Sequence, residues 1–446
     1  MRRSALRHLW TAHDLRNRLL LTLGLLVIYR LASHVPVPGV DRQALAQIFA
    51  GGGASSTLVN ILDLLSGGTV SSFSVLAMGV YPYITAQIIL QLLIPIIPAW
   101  EARMREDPQE GRKWMERWTY YLAVPLAALQ AIGQVRLFQS LAGGTPIVKH
   151  FGFTGADLVP TITTLLTMTA GTMFAIWLGE LISEYGVRNQ GLSLIIFAGI
   201  VARIPTNFGR LLADQQHRVF LVAFYVALIV VTVFVIVVVQ QGRRNVPVMY
   251  PGRRIGHRQA MPVKGTLPLL VNMAGMIPLI FAQSFLTFPA VIAQFFINST
   301  ASWVKTLAQG AVYVFGGNSG WYGAMYFLLV VLFTFFYTDV LFSQQNYGEN
   351  LKRAGAQIPG VTSGAPTQRY LTRVMRRITL PGALFLGVVA VLPYLVGIVV
   401  PFAGNTGLLL VSSAGLLIVV GVVRDLFFNL EAELKLRGYD ESMLVR

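Results

Sequence analysis

The sequence predicts an all-α integral membrane protein whose ten transmembrane helices form two inverted five-helix halves, and three observations carry that prediction. Of 446 residues, 54% are hydrophobic and only 12% are charged, about half the charged share of an average soluble domain. Ten apolar stretches lie near the roughly 20 residues that cross a hydrocarbon core. Lys and Arg gather in alternate connections, the bias that marks the cytoplasmic side of a membrane.

The first stretch, 19–36, follows Arg2, Arg3, Arg7, Arg16 and Arg18. That start is like the basic start of a signal peptide, but no small-residue cleavage site follows, so it is read as a retained span. Stretches 74–98, 119–138, 158–182 and the short 191–206 complete an N-terminal half over 1–210. The C-terminal half, 211–446, holds 219–240, 268–296, 321–342, 378–400 and 406–423. The connection after the second span carries Arg103, Arg105, Arg112, Lys113 and Arg117, and the fourth carries Arg188. Loop 241–266 carries Arg243, Arg244, Arg253, Arg254, Arg258 and Lys264; loop 343–377 carries Lys352, Arg353, Arg369, Arg373, Arg376 and Arg377. With Arg424, Lys435, Arg437 and Arg446 at the C-terminus, these place both termini in the cytoplasm. Arg203, Arg210 and Arg218 flank an outward connection and are the exception. Five spans is an odd number, so the second half lies inverted relative to the first, as in several transport folds.

Gly79-Val80-Tyr81-Pro82-Tyr83-Ile84 and Gly275-Met276-Ile277-Pro278-Leu279-Ile280 repeat a Gly-x-x-Pro-x-Ile pattern in the second span of each half. Matched Gly and Pro interruptions point to broken helices that face a functional interface. Gly265-Thr266-Leu267-Pro268 nearly repeats the pattern, which leaves a chance occurrence open. Residues 61–74, ILDLLSGGTVSSFS, are too short to cross and break at Gly67-Gly68. They read as a re-entrant piece sheltered by protein, or as an amphipathic surface turn. Ile84 with Ile88, and Leu192 with Ile196, stand at i and i+4 and so share a helix face; such pairs are core packing or a lining.

The stretches VPVPGVD (35–41), LSGGTVSSFSVLAMGVYPYITAQIILQLL (65–93), WLGELISEYGVRNQGLSLIIFAGIVA (177–202), LLVNMAGMIPLIFAQS (269–284) and LLIVVGVVRD (416–425) resemble the SecY family, the central subunit of the bacterial protein-conducting channel, over nearly the whole chain. The resemblance implies a central hourglass pore in the bacterial inner membrane, with a ring at Ile84, Ile88, Leu192, Ile196, Ile280 and Ile418. It implies a plug over 61–72, including Leu62, Leu64, Leu65, Gly67 and Gly68, and a lateral gate between spans two and seven with Pro82, Gln91, Asn272 and Pro278. A helix-to-helix hydrogen bond without a gating role remains an alternative for Asn272. Implied partners are the small subunits SecE and SecG, the motor ATPase SecA, the ribosome, secretory and membrane protein substrates, and lipid. Docking is implied for Arg253, Arg254, Arg258, Lys352, Arg353 and Arg369, although positive-inside topology alone also places basic residues there. The chain departs from the family at Thr362, which stands where relatives carry an arginine, and at SQQNYGEN (343–350). A divergent paralogue with altered motor coupling is therefore an alternative.

A pore that passes any polypeptide cannot use fixed ligands, whereas branched aliphatic side chains close by packing and resist ions by dewetting. About ten apolar residues of a passenger, at roughly −0.5 kcal/mol each, gain about 5 kcal/mol in lipid. Turning a two-state gate over takes about 5.5 kcal/mol, so partitioning suffices for most of the opening. An inverted-repeat secondary transporter is the rival, but carriers place ionisable groups near mid-membrane, and Arg30, Glu180 and Asp339 fall near span ends. With no cysteine, with six histidines in or near loops, and with no phosphate-binding Gly-x-x-x-x-Gly-Lys-Ser/Thr loop, no enzyme, metal site or cofactor is expected.

Overall fold

The computed structural model describes residues 13–41, 73–94, 96–141, 147–148, 151–152, 155–188, 190–202, 204–205, 218–250, 254–255, 258–259, 263–296, 301–315, 320–399 and 406–436. Thirteen helices are described: α1 (His13–Ala32), α2 (Tyr81–Leu93), α3 (Pro98–Glu106), α4 (Pro108–Leu141), α5 (Leu158–Tyr185), α6 (Gly191–Val201), α7 (Arg218–Gln241), α8 (Ile277–Phe296), α9 (Ser302–Phe315), α10 (Gly320–Gln344), α11 (Tyr347–Arg353), α12 (Ala365–Val399) and α13 (Thr406–Leu436). Between α7 and α8 lie strands β1 (Arg243–Tyr250), β2 (Arg254–Ile255), β3 (Arg258–Gln259) and β4 (Val263–Leu270). Helices α1, α2, α4, α5, α6, α7, α8, α10, α12 and α13 overlap the ten apolar stretches. Among the described residues, four helices are long and apolar enough to cross a membrane alone, and the bent pair α2 and α3 makes a fifth candidate.

Prolines set several boundaries. Ile97 and Asp107 are both extended and both precede a proline, the conformation that the proline ring imposes on its predecessor. Pro98 and Pro108 then begin α3 and α4, where a missing N–H costs nothing. The chain turns through 102° between α2 and α3, and Asp107 Oδ1 accepts the backbone N–H groups of Gln109 and Glu110, at 3.1 Å each, to cap α4.

Three expectations are corrected. The second span reaches neither 74 nor 98 as one helix: residues 73–80 are turns and α2 ends at Leu93. The seventh span does not start at 268, because β4 runs to Leu270 and α8 begins at Ile277. Loop 241–266, expected as a basic connection in an all-α chain, holds an antiparallel β1–β4 ladder from Arg243↔Leu270 to Tyr250↔Val263, with β2 paired to β3 inside it. A two-stranded ladder tolerates Pro247 and Pro268 because each strand has a free edge to which a missing donor can turn. These hairpins also qualify the all-α expectation outside the apolar stretches.

Packing joins the two sets of helices along two seams. On one, α8 lies against α4 and touches α2; on the other, α13 lies against α6. A separate cluster of Val37, Phe73, Met78, Ala131 and Phe138 fastens the turns at 73–80 to α4, with the Phe73 and Phe138 rings edge to face at 5.4 Å. The two basic loops, separate in sequence, share a third core. Val246 and Val248 of β1 are buried with Leu351, Ile358 and Leu371. Met249 and Gln357 exchange backbone hydrogen bonds of 2.8 Å in both directions.

Candidate functional site

The repeated Gly-x-x-Pro motif has the same backbone geometry in both places. Gly79 has φ 51° and Gly275 φ 64°, the left-handed region that favours glycine. Each is followed by one residue and then a helix whose first turn holds the proline, Pro82 in α2 and Pro278 in α8. The motif therefore starts helices rather than breaking them, which corrects the sequence expectation. A positive-φ turn reverses the incoming chain, and a proline in the first turn is preorganised to begin a helix. The near repeat Gly265–Pro268 lies within β4.

These two helix starts deliver the aliphatic candidates to one region. Ile196 and Ile418 are buried in one apolar cluster, with Ile84 and Leu192 packed on it. Ile88 and Ile280 are buried in a second, to which Ile84 also belongs. Ile84 and Met276 are common to both, so side chains from α2, α6, α8 and α13 form one continuous apolar body. Leu192 leans on α5, where a Cβ built at Gly179 would come within 2.8 Å of Leu192 Cδ2. Met276 escaped sequence reasoning although it is the second residue of the motif. Its unbranched thioether fits an irregular junction between clusters.

Polar groups border this body on the side of α2, α4 and α8. Tyr81 of α2 stands beside Ser284 of α8, and Ser284 Oγ donates to the Ile280 carbonyl at 2.7 Å. Gln91 Oε1 on α2 and Gln130 Oε1 on α4 are buried without a protein hydrogen-bond partner. Asn272 is buried, and its amide folds back on its own turn: Gly275 N–H donates to Oδ1 at 3.0 Å and Nδ2 donates to the Gly275 carbonyl at 3.1 Å. It thus braces the left-handed glycine that starts α8. The Tyr81 to Ser284 contact was not foreseen, since a tyrosine and a serine about 200 positions apart carry no mutual signal in sequence.

Of the docking candidates, Lys352, Arg353 and Arg369 line one groove of about 1230 Å³ between α11 and the start of α12, together with Arg373, Arg376 and Arg377. Arg353 pairs with Glu349 and Arg376 with Asp339, each at 2.8 Å. SQQNYGEN is the end of α10 plus the start of α11, turned by Asn346 at φ 43°. Thr362 is exposed, and its carbonyl accepts from Thr367 Oγ1 at 2.8 Å. Arg254 and Arg258 sit in β2 and β3, whereas Arg253 and the plug residues Leu62, Leu64, Leu65, Gly67 and Gly68 lie outside the described residues. Among the described residues no group of three His, Asp or Glu side chains could hold a metal ion.

Known proteins resemble this chain in sequence and in fold. The SecY family model matches residues 74–427. Protein translocase subunit SecY of Streptomyces griseus is 39% identical over 445 residues, covering 96% of both chains. The subunit of the same name from Chlamydia muridarum is 37% identical over 451 residues, covering 98% of this chain and 97% of its own. That from Mycobacterium bovis is 37% identical over 434 residues, covering 96% of each. Among solved structures, a protein-conducting channel superposes with TM-score 0.64 at 16% identity over 93% of this chain and 92% of its own. A SecY structure described for the way its plug domain stabilises the closed state superposes with TM-score 0.60 at 16% identity over the same shares. A matched family model over most of the chain, near-full-length relatives and a shared fold lead to one conclusion: the chain belongs to the SecY family.

Proposed function

We propose that this chain is the channel through which unfolded secretory polypeptides cross the bacterial cytoplasmic membrane, and that apolar segments leave it sideways between α2 and α8. The observation that carries the reading is the meeting of six aliphatic side chains from four helices in two clusters bridged by Ile84 and Met276. Such a waist holds no fixed ligand, so it can close around any chain and dewet when empty. A secondary transporter would need a mid-membrane ionisable site, whereas Asp339 is engaged by Arg376 at the end of α10. The two halves, 1–210 and 211–446, would part along the α8 seam with α2 and α4 while staying joined at α6 and α13. The test is a photo-reactive side chain at 88 or 280 in the assembled complex: it should crosslink to a stalled secretory chain and not to a finished cytosolic protein. Absence of the adduct would reject the waist.

Gating rests on the polar rim. Losing a polar contact such as that of Ser284 beside Tyr81 costs about 0.5–1.5 kcal/mol. Ser284→Ala should therefore favour the open gate about fivefold, since 1.4 kcal/mol is a tenfold change. The change would be read as export of substrates with weakened signal segments. Equal stringency in mutant and parent would remove Ser284 from the gate. Thr85 Oγ1 still donates to the Tyr81 carbonyl at 2.9 Å in that variant, so the start of α2 should persist.

The coupled basic surfaces, β1–β4 with α11 and α12, suit docking of SecA and the ribosome, and SecE and SecG are the small subunits expected beside the chain. RNA phosphates or acidic protein patches would meet the six cations of the α11–α12 groove. Arg369→Glu with Arg373→Glu should slow motor-driven export at least about tenfold, with a weaker salt dependence. Export at the parent's rate in vesicles that hold equal amounts of the chain would refute the docking role.

A further inference from the structure

Helix α9 has one edge that neither protein nor simple solvation explains. It stands between α8 and α10 at the end of α8 remote from the basic hairpin, and it packs mainly on α8. Its sequence, SWVKTLAQGAVYVF, carries one Lys and no acid. At 100° per residue, Val304, Ala308, Ala311 and Phe315 fall on one side of the apolar half and Trp303, Leu307 and Val314 on the other. The first side is half-buried to buried, with Ala308 at 5% exposure. On the second, Trp303 is 70% and Leu307 66% exposed. Ser302, Lys305, Thr306 and Gln309 occupy the opposite arc together with the amphipathic Tyr313, and all five are exposed. Trp321, in the first turn of α10, is likewise 70% exposed.

An apolar edge beside a protein contact, with a polar face opposite, is the arrangement of a helix lying in a membrane interface. Trp at that level marks the headgroup belt, and both helices that α9 joins overlap spans predicted to cross the bilayer. Lys305 lies on the side of the helix opposite Trp303 and Leu307 and is exposed, so its ammonium stays in water when that edge enters lipid. We infer that α9 is an interfacial anchor: Trp303 and Leu307 enter the boundary between headgroups and acyl chains of the outer leaflet and tether the outward end of the gate helix α8. The leaflet assignment rests on the orientation in the proposed function.

Because the chain has no cysteine, single cysteines can be placed at 303, 305, 307 and 309 and labelled with an environment-sensitive fluorophore in the assembled complex in vesicles. Nitroxide-bearing lipid should quench labels at 303 and 307 about twofold or more beyond those at 305 and 309, given seating roughly 5–10 Å into the boundary. Aqueous iodide should show the reverse order. Equal iodide quenching at all four positions would overturn the anchor. Separately, a membrane-impermeant maleimide applied to intact spheroplasts should label a cysteine at 309. Labelling only after lysis would overturn the outer-leaflet assignment and the orientation behind it, with lipid contact judged by the first measurement.

Discussion

Replacing Ile84 and Ile280 together by asparagine is expected to make the resting complex conduct ions. Ile84 belongs to both apolar clusters, and Ile280 is buried at 6% exposure in the second. Fully burying an isoleucine side chain contributes about 1.5–3 kcal/mol and Ile84 is only partly buried, so the pair contributes about 2–4 kcal/mol to a closed, dry waist. At 1.4 kcal/mol per tenfold, its loss should raise resting conductance at least about tenfold. Asparagine also supplies donors and acceptors that hold water where branched carbons expel it. Planar-bilayer recording of the purified complex measures the effect, with its amount in the membrane as the fold control. A conductance indistinguishable from the parent's would end the claim that these two residues seal the channel.

Gly191→Ala is expected to destabilise the chain by about 1–3 kcal/mol or more. A Cβ at 191 would run into the Gly179 carbonyl oxygen of α5 and meet Ser183 Oγ at 2.7 Å. The Gly191 N–H donates to that same Ser183 Oγ at 3.0 Å, so α6 starts against α5 with no room for a methyl group. Overpacking of a fixed interface costs about 1–3 kcal/mol and more where backbone must move, against a total stability of about 5–15 kcal/mol. Displacing α6 would also displace Leu192 and Ile196 from the waist. Gly310→Ala is the matching control, because a Cβ at 310 meets nothing within 4 Å and alanine favours an exposed helix by about 0.5–1 kcal/mol. Thermal unfolding of the purified variants compares them. A Gly191→Ala protein as stable as the Gly310→Ala protein would show that the α5–α6 contact can relax.

The sequence made the helices legible wherever hydropathy and helical period coincide, as in α5, α7 and α10, whose ends fall near those expected. It misjudged the approach to α8. Leu267 to Val271 are apolar and flank Pro268, which reads equally as a span's beginning or as a strand, and only pairing with Arg243–Val246 decides for the strand. Loop 343–377 read as a long basic connection with a helix starting at Arg369 to Arg377, yet Leu351 and Ile358 are buried against Val246 and Val248, a contact that no local pattern announces. Asn272 stood out as a polar residue beside a gate helix, but its amide bonds to Gly275, three residues on. The aliphatic candidates were legible as residue types and spacings; their meeting in joined clusters was not.

By itself the amino-acid order determined a membrane protein, its apolar stretches, the alternate connections in which its cations gather, and the aliphatic character of Ile84, Ile88, Leu192, Ile196, Ile280 and Ile418. These follow from hydropathy, charge and helical period, which are properties of short stretches of chain. The tertiary structure decided that Gly79 and Gly275 begin helices, that Met276 links the two apolar clusters, that Tyr81 reaches Ser284, and that two basic loops join through Met249 and Gln357. Each is a contact between residues that must first be brought together by packing, and the energy that selects it exists only once the helices are assembled.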